Sequence, residues 1–413
     1  MLFSYYMQGE NIMNTIKLSV MTFGLAAASV FAQDTATDST KKAEPAVDKK
    51  GLEFNISGRA EFDVYADAST GSNQKLYHDY KSRLNLIFQT MFNENWSAQV
   101  EVEGNADFES PTIDYKGAFV QYKQGDDFAI KFGDLAYSEG AFSYYYHNDS
   151  ALYAAGMREH QIRGIELDYK GLQLGVGFGR GVDNDVSCWS SETFDCSDNR
   201  QSYDIHLAYQ FDLLGQMFRP YIHYKSWQKK DANMLHAGLH TDLILGPFDI
   251  HAVYGLHADR LKKSLPNATH AFLGEPTLKL GRVTVKAGAF FAIIDDDPEK
   301  ATIHTTFDDY EIPEYKFAYG EVDLKVLEAF TVGFTTEWHT NTLDNTKDLG
   351  TLEFGPRFYF TPFKNLDVTA SASAIIPTGD DWTKVNHDKW VSTYDYKGKD
   401  TNFYFEFETV FKF

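Results

Sequence analysis

The sequence predicts an all-β fold, a single transmembrane, antiparallel, up-and-down β-barrel of about 18 strands, with 16 as the alternative count. Three observations predict this fold. Apolar and polar residues alternate along many short segments, as in strands with one apolar and one polar face. Short and long gaps between these segments also alternate, as do the turns and loops at the two rims of such a barrel. Aromatic residues make up 15% of the 413 residues, which suits aromatic girdles at two membrane interfaces.

The last eleven residues, 403–413, show the alternation most clearly. One face carries five phenylalanines and a threonine, and the other carries a tyrosine, two glutamates, a valine and a lysine. Such an apolar face would be an aggregation-prone edge in water, but it suits a lipid-facing strand whose edges are both paired. The segment resembles the terminal strand of bacterial outer-membrane β-barrels, the porin family among them. This resemblance implies that Phe407, Phe411 and Phe413 belong to the signal that the barrel assembly machinery recognises. The alternative is an edge strand of a soluble sandwich.

The first barrel segment is equally regular, and the same pattern recurs to the end of the chain. The 18 predicted strands are 52–66, 82–92, 96–106, 115–123, 128–134, 161–169, 172–181, 201–211, 218–227, 234–245, 248–258, 269–280, 282–294, 315–326, 329–340, 349–360, 366–376 and 401–413. Gaps after even-numbered strands are short, and those after odd-numbered strands are mostly long. An even count places both chain ends at the short-turn rim, so we expect periplasmic N- and C-termini.

The N-terminal region is predicted to lie outside the barrel. Residues 1–32 form a signal peptide with a weak basic region, an apolar stretch and small residues before cleavage after Ala32. A short membrane anchor is the alternative to this signal peptide. Residues 1–12 are expected to be extra sequence upstream of a true start at Met13. Residues 33–50 are predicted to be a disordered periplasmic tail, and residues 51–413 form the barrel.

The charge balance limits the class of partner. The formal net charge is −21, which argues against nucleic-acid binding and favours a lumen or outer surface that attracts cations. Mean hydropathy is −0.39, and no run of 18 apolar residues predicts a membrane-spanning helix. An 18-strand circumference is too wide for its own side chains to fill, so we expect a water-filled channel unless a plug occupies it. The 18-residue tail is too short to be a plug domain.

The longest loop, 135–160, is the third on the long-loop rim. In the porin family, which the architecture resembles, the third loop folds inward and narrows the pore. The resemblance therefore implies a constriction here, whereas an ordinary outward loop is the alternative. Acidic, basic and aromatic residues suited to a narrow charged zone occur in it: Glu139, Tyr144, Tyr145, Asp149, Arg158 and Glu159.

Basic residues on the polar faces of other strands are candidates for an opposing wall. They are Arg59, Arg83, Lys131, Arg282, Lys286 and Arg357. If these basic residues lie across the pore from carboxylates, they create a transverse electric field. For each residue the alternative is a simple ion pair with a neighbouring acid such as Glu61 or Glu101.

Three further groups have structural interpretations. Cys188 and Cys196 are predicted to form a disulfide in an oxidising compartment. Six histidines on the polar faces of the predicted strands from 201 to 258 are interpreted as a polar pore wall, with a cross-strand metal site as the alternative: His206, His223, His236, His240, His251 and His257. The acidic loop 295–314 is interpreted as solvated, and divalent cations bridging its carboxylates are the alternative. We predict no dedicated metal site and no cofactor.

Taken together, these features predict an outer-membrane porin that lets ions and small hydrophilic solutes diffuse passively, with a preference for cations. A sugar- or oligosaccharide-specific channel, with rings stacking on Tyr221 or Phe290, is one alternative. A non-conducting surface adhesin or receptor using loops 182–200 or 377–400 is the other. No catalytic set is found, so we do not expect an enzyme. The porin resemblance also implies a homotrimer in contact with outer-membrane lipid and lipopolysaccharide.

Overall fold

The computed structural model describes residues 52–69, 77–106, 112–138, 143–144, 159–179, 202–227, 233–259, 269–293, 314–343, 347–378 and 401–413. Strand segments occupy nearly all of these ranges: β1 (Glu53–Ser69), β2 (Tyr77–Met91), β3 (Trp96–Ala106), β4 (Thr112–Gln124), β5 (Phe128–Ser138), β6 (Glu159–Tyr169), β7 (Leu172–Gly179), β8 (Ser202–Tyr209), β9 (Phe211–Leu213), β10 (Gln216–Trp227), β11 (Asn233–Leu245), β12 (Phe248–Asp259), β13 (Thr269–Leu280), β14 (Val283–Ile293), β15 (Glu314–Leu327), β16 (Phe330–Leu343), β17 (Lys347–Phe363), β18 (Leu366–Pro377) and β19 (Asn402–Lys412). Within this part of the chain, no helix is long and apolar enough to cross a membrane.

The strands form one closed antiparallel barrel. Each strand pairs with its neighbour in sequence, and β1 pairs with β19 to close the sheet. β8 and β9 both pair with β10, so they are two halves of one barrel strand interrupted at Gln210. The barrel therefore has 18 strands, which confirms the predicted architecture and the preferred strand count. Closure leaves no unpaired edge, as a bilayer requires.

All 18 predicted strands are present, and the largest differences are at strand ends. β2 begins at Tyr77, five residues before the predicted start, because its pairing with β1 continues as far as Asp67. β17 likewise runs from Lys347 to Phe363, beyond the predicted range at both ends. Backbone pairing does not require an apolar face. Strand ends without apolar–polar alternation were therefore not predicted from the sequence.

The two faces of the sheet have opposite chemistry. Phe403, Phe405 and Phe407 on the outer face of β19 are 41–47% exposed, whereas Tyr404 between them is 1% exposed on the inner face. This arrangement of apolar residues outside and polar residues inside is the reverse of a soluble protein and suits an environment of lipid. The barrel thus encloses a polar lumen.

Two short turns at the predicted periplasmic rim have the geometry of tight hairpins. Lys170 and Gly171 both have positive φ, at 48° and 85°, as do Leu214 and Gly215, at 54° and 76°. Two successive positive φ values are typical of type I′ turns, which match the twist of the flanking strands. These turns fix the register of the strands that they join.

Candidate functional site

The inner face of the barrel is polar, and much of it is shielded from solvent. The following inward-facing ionisable side chains are at most 2% exposed: Glu166, Asp204, His206, His223, Lys225, His236, His251, Glu275, Glu321, Glu337, Glu353 and Arg357. A wide water column would leave such side chains accessible. The lumen is therefore narrow where these side chains lie.

Glu275 of β13 holds a segment that follows β5 against a distant part of the wall. Its carboxylate accepts a hydrogen bond from the backbone N–H of Ser143 at 2.6 Å and from that of Tyr144 at 3.3 Å. The hydroxyl of Tyr319 on β15 donates a third hydrogen bond to the same carboxylate at 2.5 Å. β13 lies seven strands around the barrel from β5, counting β8 and β9 as one. Ser143 and Tyr144 therefore lie across the lumen from the strand that precedes them.

The Tyr144 side chain lies close to charged groups of the same wall. Burial raises the pKa of its hydroxyl, the Asp249 carboxylate raises this pKa further, and the Lys279 ammonium opposes the shift. Lys279 and Asp249 form an ion pair between β13 and β12. Tyr144 therefore stays neutral at physiological pH and contributes a hydroxyl group, not a charge, to the lumen.

The structure describes only one of the other residues predicted for the constriction. Glu139, Tyr145, Asp149 and Arg158 lie outside the described residues. Glu159 is the first residue of β6, where its backbone pairs with Ser138. Among the predicted constriction residues, Tyr144 is thus the one for which the described part of the chain shows a contact with the opposite wall.

Two of the predicted wall cations form ion pairs at the β1–β2 seam. Arg59 contacts Glu61 directly and lies 3.5 Å from Glu408. Arg83 lies 3.9 Å from the same Glu61 and donates a hydrogen bond to Asn105 at 3.3 Å. The ion-pair alternative raised for these residues, with Glu61 as the acid, therefore applies to both.

Lys131, Lys286 and Arg357 also point inward, and each meets acids of neighbouring strands. Lys131 lies 2.5 Å from Glu166, and Lys286 lies 2.7 Å from Asp323. Arg357 is fully buried and lies 3.8 Å and 3.9 Å from two glutamates. These cations are therefore members of ion-pair networks, and none of the three is an unopposed charge facing the pore.

Arg282 requires a correction. It lies in the exposed two-residue turn between β13 and β14, not on an inward-facing strand position. The prediction began the strand at residue 282, whereas β14 begins at Val283. This shift of one residue moves Arg282 from the predicted wall to the rim.

Acids outnumber bases in two inner networks. The first contains the acids Glu321, Asp323, Glu337 and Glu353 with the bases Lys286 and Arg357. The second contains the acids Glu61, Asp63, Glu406 and Glu408 with the bases Arg59, Lys81 and Arg83. Glu337 and Glu353 are directly opposite in register, although both are at most 1% exposed. Acidic side chains therefore outnumber basic ones in both networks of the described inner wall.

Histidines of four neighbouring strands share one register row. His223 of β10 pairs with His206 of β8 and His236 of β11, and His236 also pairs with His257 of β12. The His160 ring of β6 stacks on that of His223, with centroids 3.8 Å apart. His160 Nε2 lies 2.8 Å from His236 Nδ1. One nitrogen of this pair must accept the hydrogen bond, so at least one of the two rings is neutral.

Glycines on β7 allow side chains from β5 and β6 to reach β8 and β10. Gly175 and Gly177 lie on its inner face, where a methyl group at Gly175 would overlap the Tyr137 ring. Tyr137 of β5 instead crosses over β7 and stacks on His206, with ring centroids 4.0 Å apart. The alternating glycines thus remove the side chains that would otherwise separate these strands.

The aromatic residues proposed for sugar stacking are not accessible. Tyr221 is 4% exposed and packs over Gly238, and its hydroxyl lies 3.4 Å from a ring nitrogen of His236. Phe290 is 1% exposed. Neither ring presents a free face to the lumen, which corrects the proposal that they bind sugar rings.

The remaining candidate residues lie at the ends and loops of the barrel. Cys188, Cys196 and residues 295–313 of the acidic loop are outside the described residues. Phe407, Phe411 and Phe413 lie on the outer face and are 43–47% exposed. Their role as an assembly signal remains a prediction.

Glu275 was not predicted as an anchor from the sequence, and which histidines contact one another was left open. Alternation along β13 places Glu275 on the inner face, but no local pattern indicates which distant backbone it binds. For β11 and β12, the two-residue turn Gly246–Pro247 carried the missing information. Leu245 must pair with Phe248 across it, and this register sets Asp242 opposite His251.

Solved structures of bacterial outer-membrane proteins share this architecture. OccAB3 of Acinetobacter baumannii superposes with a TM-score of 0.53 at 12% identity, covering 87% of this chain and 100% of that chain. OccK8 (OprE) of Pseudomonas aeruginosa gives 0.51 at 9% identity, covering 87% and 98%. OpdK of the same organism, solved with vanillate, gives 0.50 at 11% identity, covering 87% and 99%. The chain has the fold of an outer-membrane, porin-like β-barrel. No protein-family profile matches it, and no curated protein does.

Proposed function

We propose that this barrel is an outer-membrane channel through which ions and small hydrophilic solutes diffuse passively, with a preference for cations. The observation that carries the proposal is the binding of Ser143 and Tyr144 to Glu275. It brings a loop segment across a closed barrel whose inner face is polar. A narrowed, polar lumen selects solutes by size and field, whereas an open barrel of this circumference would select little.

Permeation in this proposal is passive. A solute enters between the outer loops, passes the constriction proposed at Ser143 and Tyr144 and leaves at the short-turn rim. The carboxylate of Glu275 holds the backbone of Ser143 and Tyr144 by charge-assisted hydrogen bonds, which are about twice as strong as neutral ones. These two bonds are what we propose to keep the segment in the lumen.

The preference for cations follows from the two acidic networks of the inner wall. Among the described residues, four acidic side chains accompany two basic ones in the first network and three in the second, so the local electric field is proposed to attract positive solutes. The basic residues that would oppose this preference are engaged in ion pairs, as Lys131 with Glu166 illustrates. The net charge of −21 has the same sign.

The test is single-channel recording of the purified, refolded protein in a planar bilayer under a KCl gradient. We expect stepwise openings and a reversal potential on the cation-selective side. A correctly folded barrel that never opens would refute the channel and favour the adhesin alternative, which relies on loops 182–200 or 377–400. Openings with anion selectivity would keep the channel and refute the role assigned to the acidic networks.

A substrate-specific channel is the second candidate, and the burial of so many inner side chains favours it. A lumen this narrow discriminates among solutes more strongly than a general pore. The ring-stacking mechanism for sugars is not retained, because Tyr221 and Phe290 are buried. Current block by one member of a panel of sugars and small aromatic acids, vanillate included, would distinguish this candidate from general diffusion.

We propose a homotrimer whose contact includes the outer faces of β5 and β6. Arg163 of β6 is on the outer face with its side chain 62% exposed, and its Nε donates to Asp134 of β5 at 2.7 Å. Asp134 also accepts from the Tyr115 hydroxyl at 2.7 Å and from the Ala118 backbone at 3.1 Å. Arg163 lies six residues from the end of β6, about 14 Å above the turn for a strand tilted by about 45°.

That height falls within the lipid-facing band, where an exposed arginine costs about 2–4 kcal/mol at the midplane. A protein contact at this face would remove the arginine from lipid and so avoid the cost. The expected measurement is a trimeric mass for the detergent-solubilised protein by light scattering. A monomeric mass at all protein concentrations would contradict the proposal.

The same proposal includes the cellular context inferred from the sequence. The chain is exported by a cleaved signal peptide, inserted by the barrel assembly machinery and embedded in outer-membrane lipid and lipopolysaccharide, with periplasmic termini. We propose no catalytic activity. To test the orientation, a protease is added to intact cells and to cells with a permeabilised outer membrane; the N-terminal tail should be cleaved only in the permeabilised cells.

A further inference from the structure

Three potential metal ligands converge on the inner wall near the loop anchor. His240 and Asp242 are two residues apart on β11, so both point inward, and His251 of β12 is directly opposite Asp242. His251 Nδ1 lies 2.7 Å from one Asp242 carboxylate oxygen, and His240 Nε2 lies 3.4 Å from the other. One donor atom from each residue can be chosen so that all three lie within 4.8 Å of one another.

These donors suit a borderline transition-metal ion. Imidazole nitrogen and carboxylate oxygen bind Zn²⁺ at about 2.0–2.2 Å, and a site with three protein ligands keeps a fourth position for water or another ligand. The centroids of the two imidazole rings are 4.8 Å apart, and the angle between the ring planes is 74°. The two rings therefore meet edge-on and not stacked face to face. Such a site favours Zn²⁺, Ni²⁺ or Cu²⁺ over Mg²⁺ and Ca²⁺, which prefer oxygen ligands.

The supporting backbone is rigid. β11 and β12 form a hairpin closed by the two-residue turn Gly246–Pro247, and their register is continuous from Leu245 to Met234. The spacing of the three donors therefore does not depend on a loop. His251 is 2% exposed, while His240 and Asp242 remain partly accessible. An ion could reach the site from the lumen without local unfolding.

Nearby charges also favour a cation. Glu275 is opposite His251 on the next strand, and Asp249 lies two residues from His251 on the same face. Arg219 of β10 is opposite His240, but its guanidinium donates to Gln173 at 2.5 Å. Lys279 is paired with Asp249. Carboxylates thus lie closer in register to His251 than the two bases do.

We propose that His240, Asp242 and His251 form a binding site for one divalent transition-metal ion in the channel wall. Its neighbour Glu275 also holds Ser143 and Tyr144, so the ion would lie beside the constriction. There its positive charge would oppose the acidic field and reduce cation current. The binding itself is independent of conduction, whereas the effect on current rests on the proposed channel function.

Metal binding is measured first, on the full-length protein refolded in detergent and stripped with a chelator. Equilibrium dialysis against ZnCl₂ is expected to give one saturable Zn²⁺ per chain at neutral pH. The double variant His240→Ala/His251→Ala is expected to bind Zn²⁺ more than about 100-fold more weakly. Loss of an outer-shell partner alone typically lowers metal affinity by about 10–100-fold. The matched control is His270→Ala, which removes a histidine from the outer face of β13.

Folding of each variant is checked by heat-modifiable migration on gels, so that loss of binding is not confused with loss of the barrel. Asp242→Asn provides a third variant that keeps the side-chain shape while weakening the oxygen ligand. No saturable Zn²⁺ binding to the wild type would overturn the site. Unchanged binding by the folded double variant would overturn it as well.

Current is measured second, with Zn²⁺ added to an open wild-type channel. We expect Zn²⁺ to lower the cation current of the wild type and of His270→Ala but not of the double variant. If dialysis shows the site and no barrel ever conducts, the proposed function fails while the metal site stands. If channels open normally and Zn²⁺ never binds, the metal site fails while the channel stands.

Discussion

Replacing Glu275 by alanine is expected to release the loop segment from the opposite wall. The carboxylate accepts two hydrogen bonds from the backbone of Ser143 and Tyr144. A hydrogen bond to a charged group contributes about 1.5–3 kcal/mol, and the bond to Tyr144 is long at 3.3 Å. The lower end of the range, about 3 kcal/mol for the two bonds, is therefore appropriate. This loss shifts the ratio of anchored to released loop on the order of 100-fold toward release.

The assay is single-channel recording, in which a released constriction should raise the conductance and the current noise. Glu275→Gln should have a smaller effect, because the amide keeps one acceptor oxygen and a similar shape. Glu103→Gln is the matched control, since it removes an inner-wall carboxylate on β3 that hydrogen-bonds Asn105 and pairs with Lys116. If Glu275→Ala conducts at the same level and noise as this control, the anchoring argument is refuted.

Two further variants test packing and lipid-face chemistry. Gly175→Ala should lower the free energy of unfolding by about 1–3 kcal/mol, as measured by urea unfolding in lipid vesicles, because its methyl group overlaps the Tyr137 ring. Asp134→Ala should cost about 2–4 kcal/mol in the same assay, because it leaves Arg163 without its carboxylate near lipid.

Each of these predictions has a control. Gly274→Ala adds a methyl group where nothing lies within 4 Å, so equal stability of the two glycine variants would contradict the packing argument. Adding Arg163→Leu to Asp134→Ala should recover most of the lost stability, and a further loss would show that the arginine is not the cause.

The barrel itself was predictable because its environment constrains every strand in the same way. Lipid demands apolar residues on alternate positions and pairing of every strand edge, so the alternation at residues 403–413 and at 52–66 is visible without any neighbour. Strand ends and turns, where apolar and polar residues need not alternate, were predicted less well. The polar extension of β2 toward Tyr77 and the turn containing Arg282 carry no alternation that would mark their ends.

The site was predictable in kind but not in its contacts. Alternation places Glu275 and the histidines on the inner face, yet contacts between β13 and Ser143, or between His160 and His236, depend on how the closed barrel curves. The pairing of Asp242 with His251 was within reach of the sequence, since a two-residue turn fixes it. Register arithmetic from short turns is therefore a useful addition to periodicity in sequences of this type.

The most direct test of the central claim is the reversal potential of the refolded wild-type protein in a planar bilayer under a KCl gradient. The account predicts stepwise openings with a potential of the sign expected for cation permeation, because acidic networks line a lumen narrowed by an anchored loop. A folded barrel that inserts into the bilayer but conducts no current would contradict the account.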